Sequence, residues 1–464
     1  MSEKVVSGRG GGLVVLLTVT LSTFLTPFSS SSFNIVLPTL GREFSLDAIT
    51  MTWSSLAYLL TTAMFLVPFG KLADMYGRKK VFVLGLGVYT IASFLLATFT
   101  NASTIILLRA FQGIGAAMIF GTGIAILVSV FPSERKGAVL GINAAAVYIG
   151  LTLGPFLGGF LATNVGWRSV IYAGGFVGIA SMIMVVSNIR GEWREEHVGR
   201  FDIFGSAVYS LMLLSLMYGF SLLPDSSSFL PILLGVALVI IFLKIEEKAK
   251  APVLDINLFK NNRVFTMSNL AALINFSSTF ALTFLLSFYL QYIQRMTAQE
   301  AGVIMIASPV VQAVFSPITG QLSDRIDPQK LSSVGMALTS LALGLFTLLD
   351  NNTQIAYVIG CLVLLGFGLA LFSSPNTNTV MSSVDKRLYG VASSTLGTVR
   401  LTGQMLSTGL SMLIFAVFIG RSQIIPEVYP QLLISIKIIF TIFAFFCLIG
   451  IIPSLSRAKN LDNN

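Results

Sequence analysis

Residues 70–80 read GKLADMYGRKK, and residues 320–330 read GQLSDRIDPQK, a weakened copy of the first at an offset of 250. Each opens on a glycine, carries an acid four residues later, ends on a basic residue and lies between two long uncharged runs. Farther along, GIGAAMIFGTGIAILVSVFPSERKG (113–137) aligns with GFGLALFSSPNTNTVMSSVDKRLYG (366–390) at an offset of 253, placing Gly113 on Gly366, Gly115 on Gly368 and Gly137 on Gly390. Glycines at a fixed offset beside similar charged loops are hard to obtain by chance. The chain reads as a duplication.

The composition says what is duplicated. Of the 464 residues, 55% are hydrophobic and 11% charged, where a soluble protein has roughly 25% charged. Fourteen runs are apolar or uncharged over about the 20 residues that a bilayer-crossing helix needs. The shortest is 226–243, and three are interrupted by one cation each, Arg109, Arg400 and Lys437. Alternating strand patterns are absent, which argues against a barrel. The expectation is an all-α integral membrane protein: a six-helix bundle over 1–189, an insert with two spans over 190–263, and a second six-helix bundle over 264–464. Residues 13–37 are too long for a signal-peptide core and lack a small-residue cleavage site, so they read as a retained span.

Lysine and arginine orient the chain. With the N-terminus inside, cytoplasmic segments hold 22 of the 29 basic residues, and the external loops hold only Arg42, Arg168, Arg295 and Arg421. That bias predicts a multi-pass protein of the cytoplasmic membrane with both termini inside, and it accounts for the formal +9 charge without nucleic acid. Cys361 and Cys447 fall in separate spans, which disfavours a disulfide or a metal cluster, and the lone His197 sits in a charged loop. With no phosphate-binding loop, no cluster of metal ligands and no nucleophile beside a base, neither an enzyme, nor ATP, nor a cofactor is expected. Parallel repeats around a central path are a transporter architecture. The expected partners are the bilayer and a small-molecule substrate.

Five motifs carry a resemblance. GKLADMYGRKK, LRAFQGIGAA (108–117), GLTLGPFLGG (150–159), SFNIVLPTLG (32–41) and GTVRLTGQMLSTG (397–409) together resemble the fourteen-span drug:proton antiporter branch of the major facilitator superfamily, over essentially the whole chain. The resemblance implies multidrug efflux by alternating access and proton antiport. It implies a cytoplasmic gate with Gly70, Asp74, Gly77, Arg78 and Lys79, in which Asp74 and Arg78 latch the two halves. It further implies proton-coupling roles for Arg109, Gln112 and Asp74, and an antiporter helix with Gly150, Gly154, Pro155, Gly158 and Gly159. Read as physics alone, those glycines are equally a packing seam.

Two cations in the apolar runs are costly, about 3 kcal/mol each at the bilayer centre. At 1.5 Å per residue, Arg400 lies about 18 Å deep and cannot easily reach either surface, whereas Arg109 lies about 8 Å in, so that snorkelling to the interface is a rival to a buried role. Where many fourteen-span relatives carry an aspartate nine residues before the proline of the first span, this chain has Ser29. All its acids fall outside the predicted spans. Ser29, Ser30, Ser31, Ser32 and Asn34 are therefore candidates for the substrate path, against the alternative that the serines only pack helices. Asn143, Tyr148, Asn275, Gln312, Asn376, Arg400 and Gln404 join them as candidates. A path that is neutral to positive predicts neutral or anionic amphiphiles as substrates. A facilitator or specific metabolite exporter without proton coupling is the second reading, and a transporter-like receptor or membrane enzyme a remote third.

Overall fold

The computed structural model describes residues 9–98, 101–131, 133–189, 191–193, 202–247, 256–323, 325–385 and 388–456; His197 lies outside them. Among the described residues the chain is a bundle of helices: α1 (Arg9–Glu43), α2 (Ala48–Tyr76), α3 (Arg78–Thr98), α4 (Ala102–Val130), α5 (Ser133–Asn164), α6 (Trp167–Asn188), α7 (Ile203–Leu222), α8 (Phe229–Glu246), α9 (Ile256–Asn261), α10 (Arg263–Thr279), α11 (Leu282–Phe288), α12 (Ala298–Met305), α13 (Ala307–Leu322), α14 (Pro328–Phe346), α15 (Ile355–Ser382), α16 (Tyr389–Phe418) and α17 (Tyr429–Leu455). In hydrocarbon every main-chain polar group must be satisfied within the segment, and helices do that. Polar residues mark the starts: Asp47 accepts from Thr50 N at 2.9 Å, Asn101 from Thr104 N at 2.8 Å and Asn262 from Phe265 N at 2.9 Å.

Thirteen helical stretches are long and apolar enough to cross a membrane, with α10 and α11 counted together as one and α12 and α13 as another. The fourteenth expected span is α14, which misses that measure. Its 19 residues open with Pro328, Gln329 and Lys330 and include Ser332, Ser333, Thr339 and Ser340. Two of these hydroxyls are turned to α17, Ser333 to the Ser454 hydroxyl at 2.9 Å and Ser340 to the Ala444 carbonyl at 2.8 Å.

One packing pattern occurs twice. In the first half α1 packs on α5 and α6, α2 on α4, and α3 on α4 and α6; in the second, α10 packs on α16 and α17, α13 on α15, and α14 on α15 and α17. The repeated glycines sit at matching crossings. A Cβ on Gly115 would meet Tyr89 N and Gly85 O at 2.7 Å, and one on Gly368 would meet Thr339 N at 2.8 Å and Gly335 O at 3.0 Å. Tyr89 and Thr339, like Gly85 and Gly335, are 250 residues apart.

The halves meet through α5 with α12, α2 with α16 and α1 with α11. The inserted α7 packs on both α2 and α16, burying Val208, Met212, Leu213 and Met217 with Leu56, Leu60, Met405 and Met412, while α8 packs on α7. Among the described residues, the hydrogen bonds joining the two halves lie at the face opposite Arg9 and Ser456: Arg42 to Gln291 O, Gln291 to Ile35 O, Tyr292 to Pro38 O and to Met51 Sδ, Asn164 to Gln299, and Gln299 N to Thr163. We call this the far face. The structure is a state closed there.

Candidate functional site

Arg109 is completely buried, so the snorkelling alternative is overturned. Its guanidinium turns inward because two aromatic faces receive it, Phe33 of α1 at 4.1 Å and Tyr58 of α2 at 4.4 Å from the ring centres, contacts worth about 2 kcal/mol when desolvated. Nε donates to the Ser54 carbonyl at 3.1 Å and Nη1 to Gln112 Oε1 at 2.8 Å. The three-residue spacing puts Arg109 and Gln112 on one face of α4. Gln112 Nε2 passes the chain to Ser93 Oγ of α3 at 2.8 Å. Beside this knot the Ser55 hydroxyl donates to Asn34 Oδ1 at 2.8 Å. Four helices are thus tied around one cation that makes no ion pair among the described residues.

Arg400 is half-buried on α16. Its Nη2 donates to Thr377 Oγ1 of α15 at 2.8 Å, and its guanidinium stands 5.5 Å from the ring centre of Phe276 on α10. This group joins one sequence candidate, Arg400, with two residues that sequence reasoning missed, and Tyr148 is half-buried on α5. Asn143, Asn275 and Asn376 are buried, and Gln312 and Gln404 half-buried.

In this state, closed at the far face, Asp74 and Arg78 of the 70–80 motif pair within the first half. Arg78 Nη2 pairs with Asp74 Oδ1 at 2.7 Å, while Nη1 donates to Ser129 Oγ at 2.5 Å and to the Ala125 carbonyl of α4 at 3.4 Å. These contacts staple α2, α3 and α4 together. Gly77 takes φ 118°, which favours glycine, and a Cβ there would strike the carboxylate of Glu192. Glu192, absent from the sequence candidates, caps α3 by accepting from Lys79 N at 2.8 Å and Lys80 N at 3.3 Å, and Lys79 Nζ donates to Ile189 O at 2.5 Å. Gly70 faces Gly121 O of α4, 3.8 Å from where its Cβ would stand.

The model of the Major Facilitator Superfamily matches residues 19–408. The chain belongs to this superfamily. It is 29% identical over 458 residues to the riboflavin transporter RibZ of Clostridioides difficile, covering 97% of this chain and 98% of that one. It is 26% identical over 397 residues to the multidrug resistance protein Stp of Mycobacterium tuberculosis, covering 84% and 73%. A crystal structure of a bacterial homologue of the human lysosomal transporter Spinster shares the fold, with TM-score 0.72 at 15% identity over 97% of each chain. The protein is a membrane transporter and not an enzyme.

In this facilitator-superfamily transporter the glycine motif of α5 is a seam with two sides. Toward α1, a Cβ on Gly150 would stand 2.8 Å from Phe24 O, one on Gly154 would overlap the Ser31 hydroxyl, and one on Gly158 would stand 2.9 Å from Ser32 Cβ. Toward the other half, Gly159 abuts the Ala298 carbonyl and Gly302 the Pro155 carbonyl. The seam therefore decides how two of the four serines are used. Ser31 Oγ donates to Pro27 O at 2.8 Å and Ser32 Oγ to Ser29 O at 3.3 Å, both back along their own helix, and both side chains fill the space left by α5 glycines. Packing is their observed role. Ser29 and Ser30 are buried on the same turn, and Ser30 Oγ has no hydrogen-bond partner. The last turn of α8 extends beyond the predicted 243 and buries Glu246, an acid expected in a loop, at the end of the peripheral pair next to Gly205.

Proposed function

We propose that the protein exports small neutral or anionic amphiphilic compounds across the cytoplasmic membrane by alternating access coupled to proton antiport. The termini lie inside, and the bundles 1–189 and 264–464 rock against each other with 190–263 inserted between them. The observation that carries the substrate class is the Arg400 group: a half-buried cation held by the Thr377 hydroxyl beside the ring of Phe276. The described acids inside the α-helices, Glu43, Asp74, Glu134, Glu246 and Glu300, all fall in terminal turns. Such a lining favours an aromatic or anionic group over a cationic drug. Coupling is assigned to the Arg109 knot, whose hydrogen bonds run through four helices. A second reading, a metabolite exporter without proton coupling, is supported by the full-length likeness to a riboflavin transporter and by the missing mid-span acid.

Proteoliposomes loaded with a pH-sensitive dye test both. Riboflavin, an anionic dye and a quaternary ammonium dye are added under an imposed proton gradient, and proton and substrate fluxes are followed together. Substrate-dependent proton movement that disappears in Arg109→Ala supports antiport. Substrate flux without proton movement selects the second reading. Transport confined to the quaternary ammonium dye overturns the substrate class.

A further inference from the structure

We propose that Gln291 and Tyr292 form the latch that holds the far face closed, and so act as positioning residues for the conformational step of transport. The inference rests on the alternating-access reading, and neither residue belongs to a motif of the sequence. Both lie in a π turn, Tyr289–Ile293, that continues α11. Gln291 Nε2 donates to the carbonyl of Ile35 at 2.8 Å, and the Tyr292 hydroxyl donates to the carbonyl of Pro38 at 3.1 Å. Arg42 closes the group from the other side, its Nη2 donating to Gln291 O at 2.6 Å while the guanidinium lies 4.9 Å from the centre of the Tyr292 ring. Gln291 and Tyr292 are each 1% exposed. The latch is a buried polar contact between two bodies.

The π turn makes the pairing possible. In an α-helix neighbouring side chains diverge by about 100°, so only one of two consecutive residues faces a given partner. Here Gln294 N reaches back five residues to Tyr289 O at 3.0 Å, and this widened turn lets two adjacent side chains meet carbonyls three residues apart on α1. The turn is braced within its own half. Tyr289 OH donates to Asp350 O at 2.7 Å, and Gln294 Nε2 donates to Tyr289 OH at 2.7 Å and to Thr353 O at 3.2 Å. The facing segment of α1 is held just as firmly, since Phe33 lies under Arg109 and Asn34 is bonded to Ser55. Two fixed segments therefore separate together or not at all, which is the behaviour of a latch. Gly41 leaves the space: a Cβ there would stand 2.6 Å from the Tyr292 hydroxyl.

The test uses the full-length transporter in proteoliposomes, with spin labels on Ser103→Cys and Asn351→Cys, exposed far-face residues in opposite halves. The native Cys361 and Cys447 are buried. The inter-label distance distribution is measured by pulsed electron paramagnetic resonance. Tyr292→Phe, Gln291→Ala and Gly41→Ala are each expected to raise the longer-distance population relative to the shorter one by about tenfold, the scale of one lost buried hydrogen bond. Tyr292→Phe deletes a single oxygen and keeps the measurement meaningful if Gln291→Ala fails to fold. Unchanged distances in folded Tyr292→Phe and Gly41→Ala overturn the latch, whatever happens to transport. Shifted distances with no flux of any amphiphile leave the latch standing and count against the proposed substrate.

Discussion

The α3–α4 crossing and the α14–α15 crossing are two editions of one contact. Gly115 and Gly368 approach equivalent main-chain atoms, and Gly113 and Gly366 lie against the carbonyls of Tyr58 and Ser308, again 250 residues apart. Their contents are opposite. At the offsets of the repeat, Ser93, Arg109 and Gln112 correspond to Leu343, Leu362 and Leu365, all buried. Duplication kept the backbone geometry and exchanged a polar knot for a hydrophobic core. Close helix approach is therefore the requirement of the fold, and the buried cation is a requirement of something else. A buried ionic group contributes little net stability compared with apolar residues of similar volume. The first half retains an expense the second shows to be unnecessary for packing.

Breaking what the crossings share is expected to have the largest effect. Gly115→Val and Gly368→Val each drive a branched side chain into main-chain atoms that cannot swing away, a cost of about 3 kcal/mol or more. Both are expected to lose monodisperse protein in detergent on size-exclusion chromatography. If only one does, the crossings are not equivalent. Next comes the difference between them. Arg109→Leu combined with Gln112→Leu copies the second half into the first, and its thermal midpoint is expected to equal or exceed that of the wild type while transport falls by about 100-fold, some 2.7 kcal/mol. A matching loss of stability would mean that the knot is structural.

The sequence announced the repeated crossings because glycine spacing survives in one dimension. It also announced Arg109 and Gln112, which share a helix face at three residues. Their partners Phe33, Tyr58 and Ser93 come from three other helices and leave no trace of spacing. That Arg109 does not snorkel was illegible for a related reason: counting residues gives a height along the helix, but not the side to which the side chain turns. Asp74 and Arg78 were legible as a pair, whereas the Ser129 hydroxyl and the Ala125 carbonyl that α4 places beneath them were not. The π turn left no sign at all, since it is a property of hydrogen-bond register rather than of residue type.

Arg400 sharpens the comparison on a smaller scale. At the offset of the repeat it corresponds to Val147, and its partners Thr377 and Phe276 both lie in the second half. Half-exposed and bonded to a single hydroxyl, it supports less of the structure than Arg109 does. Arg400→Ala is expected to raise KM for anionic compounds by about tenfold, the size of one charge-assisted hydrogen bond, and to leave neutral compounds within about twofold. Equal losses for both classes would place Arg400 in the conformational machinery instead of the binding path.

The smallest effect is expected where the second half keeps its other organised charge, at the rim. Asp350 Oδ1 accepts from Asn352 N at 2.8 Å and from Thr353 Oγ1 at 2.9 Å in the loop that braces the π turn. The Asn352 N–H first, and then the Thr353 hydroxyl, hold this carboxyl below the ordinary aspartate value of 3.8. A group depressed in the folded state stabilises above its unfolded value and loses that contribution as pH falls through its folded value. Asp350→Asn should therefore lower the thermal midpoint slightly at pH 7, and the difference from wild type should fade below pH 3.8. Because the side chain is fully exposed, water and salt screen it. An Asp350→Asn effect on transport as large as that of the Arg109 substitutions would show that the second half hides its chemistry in the brace, and that the contrast between the crossings is not where the two halves differ most.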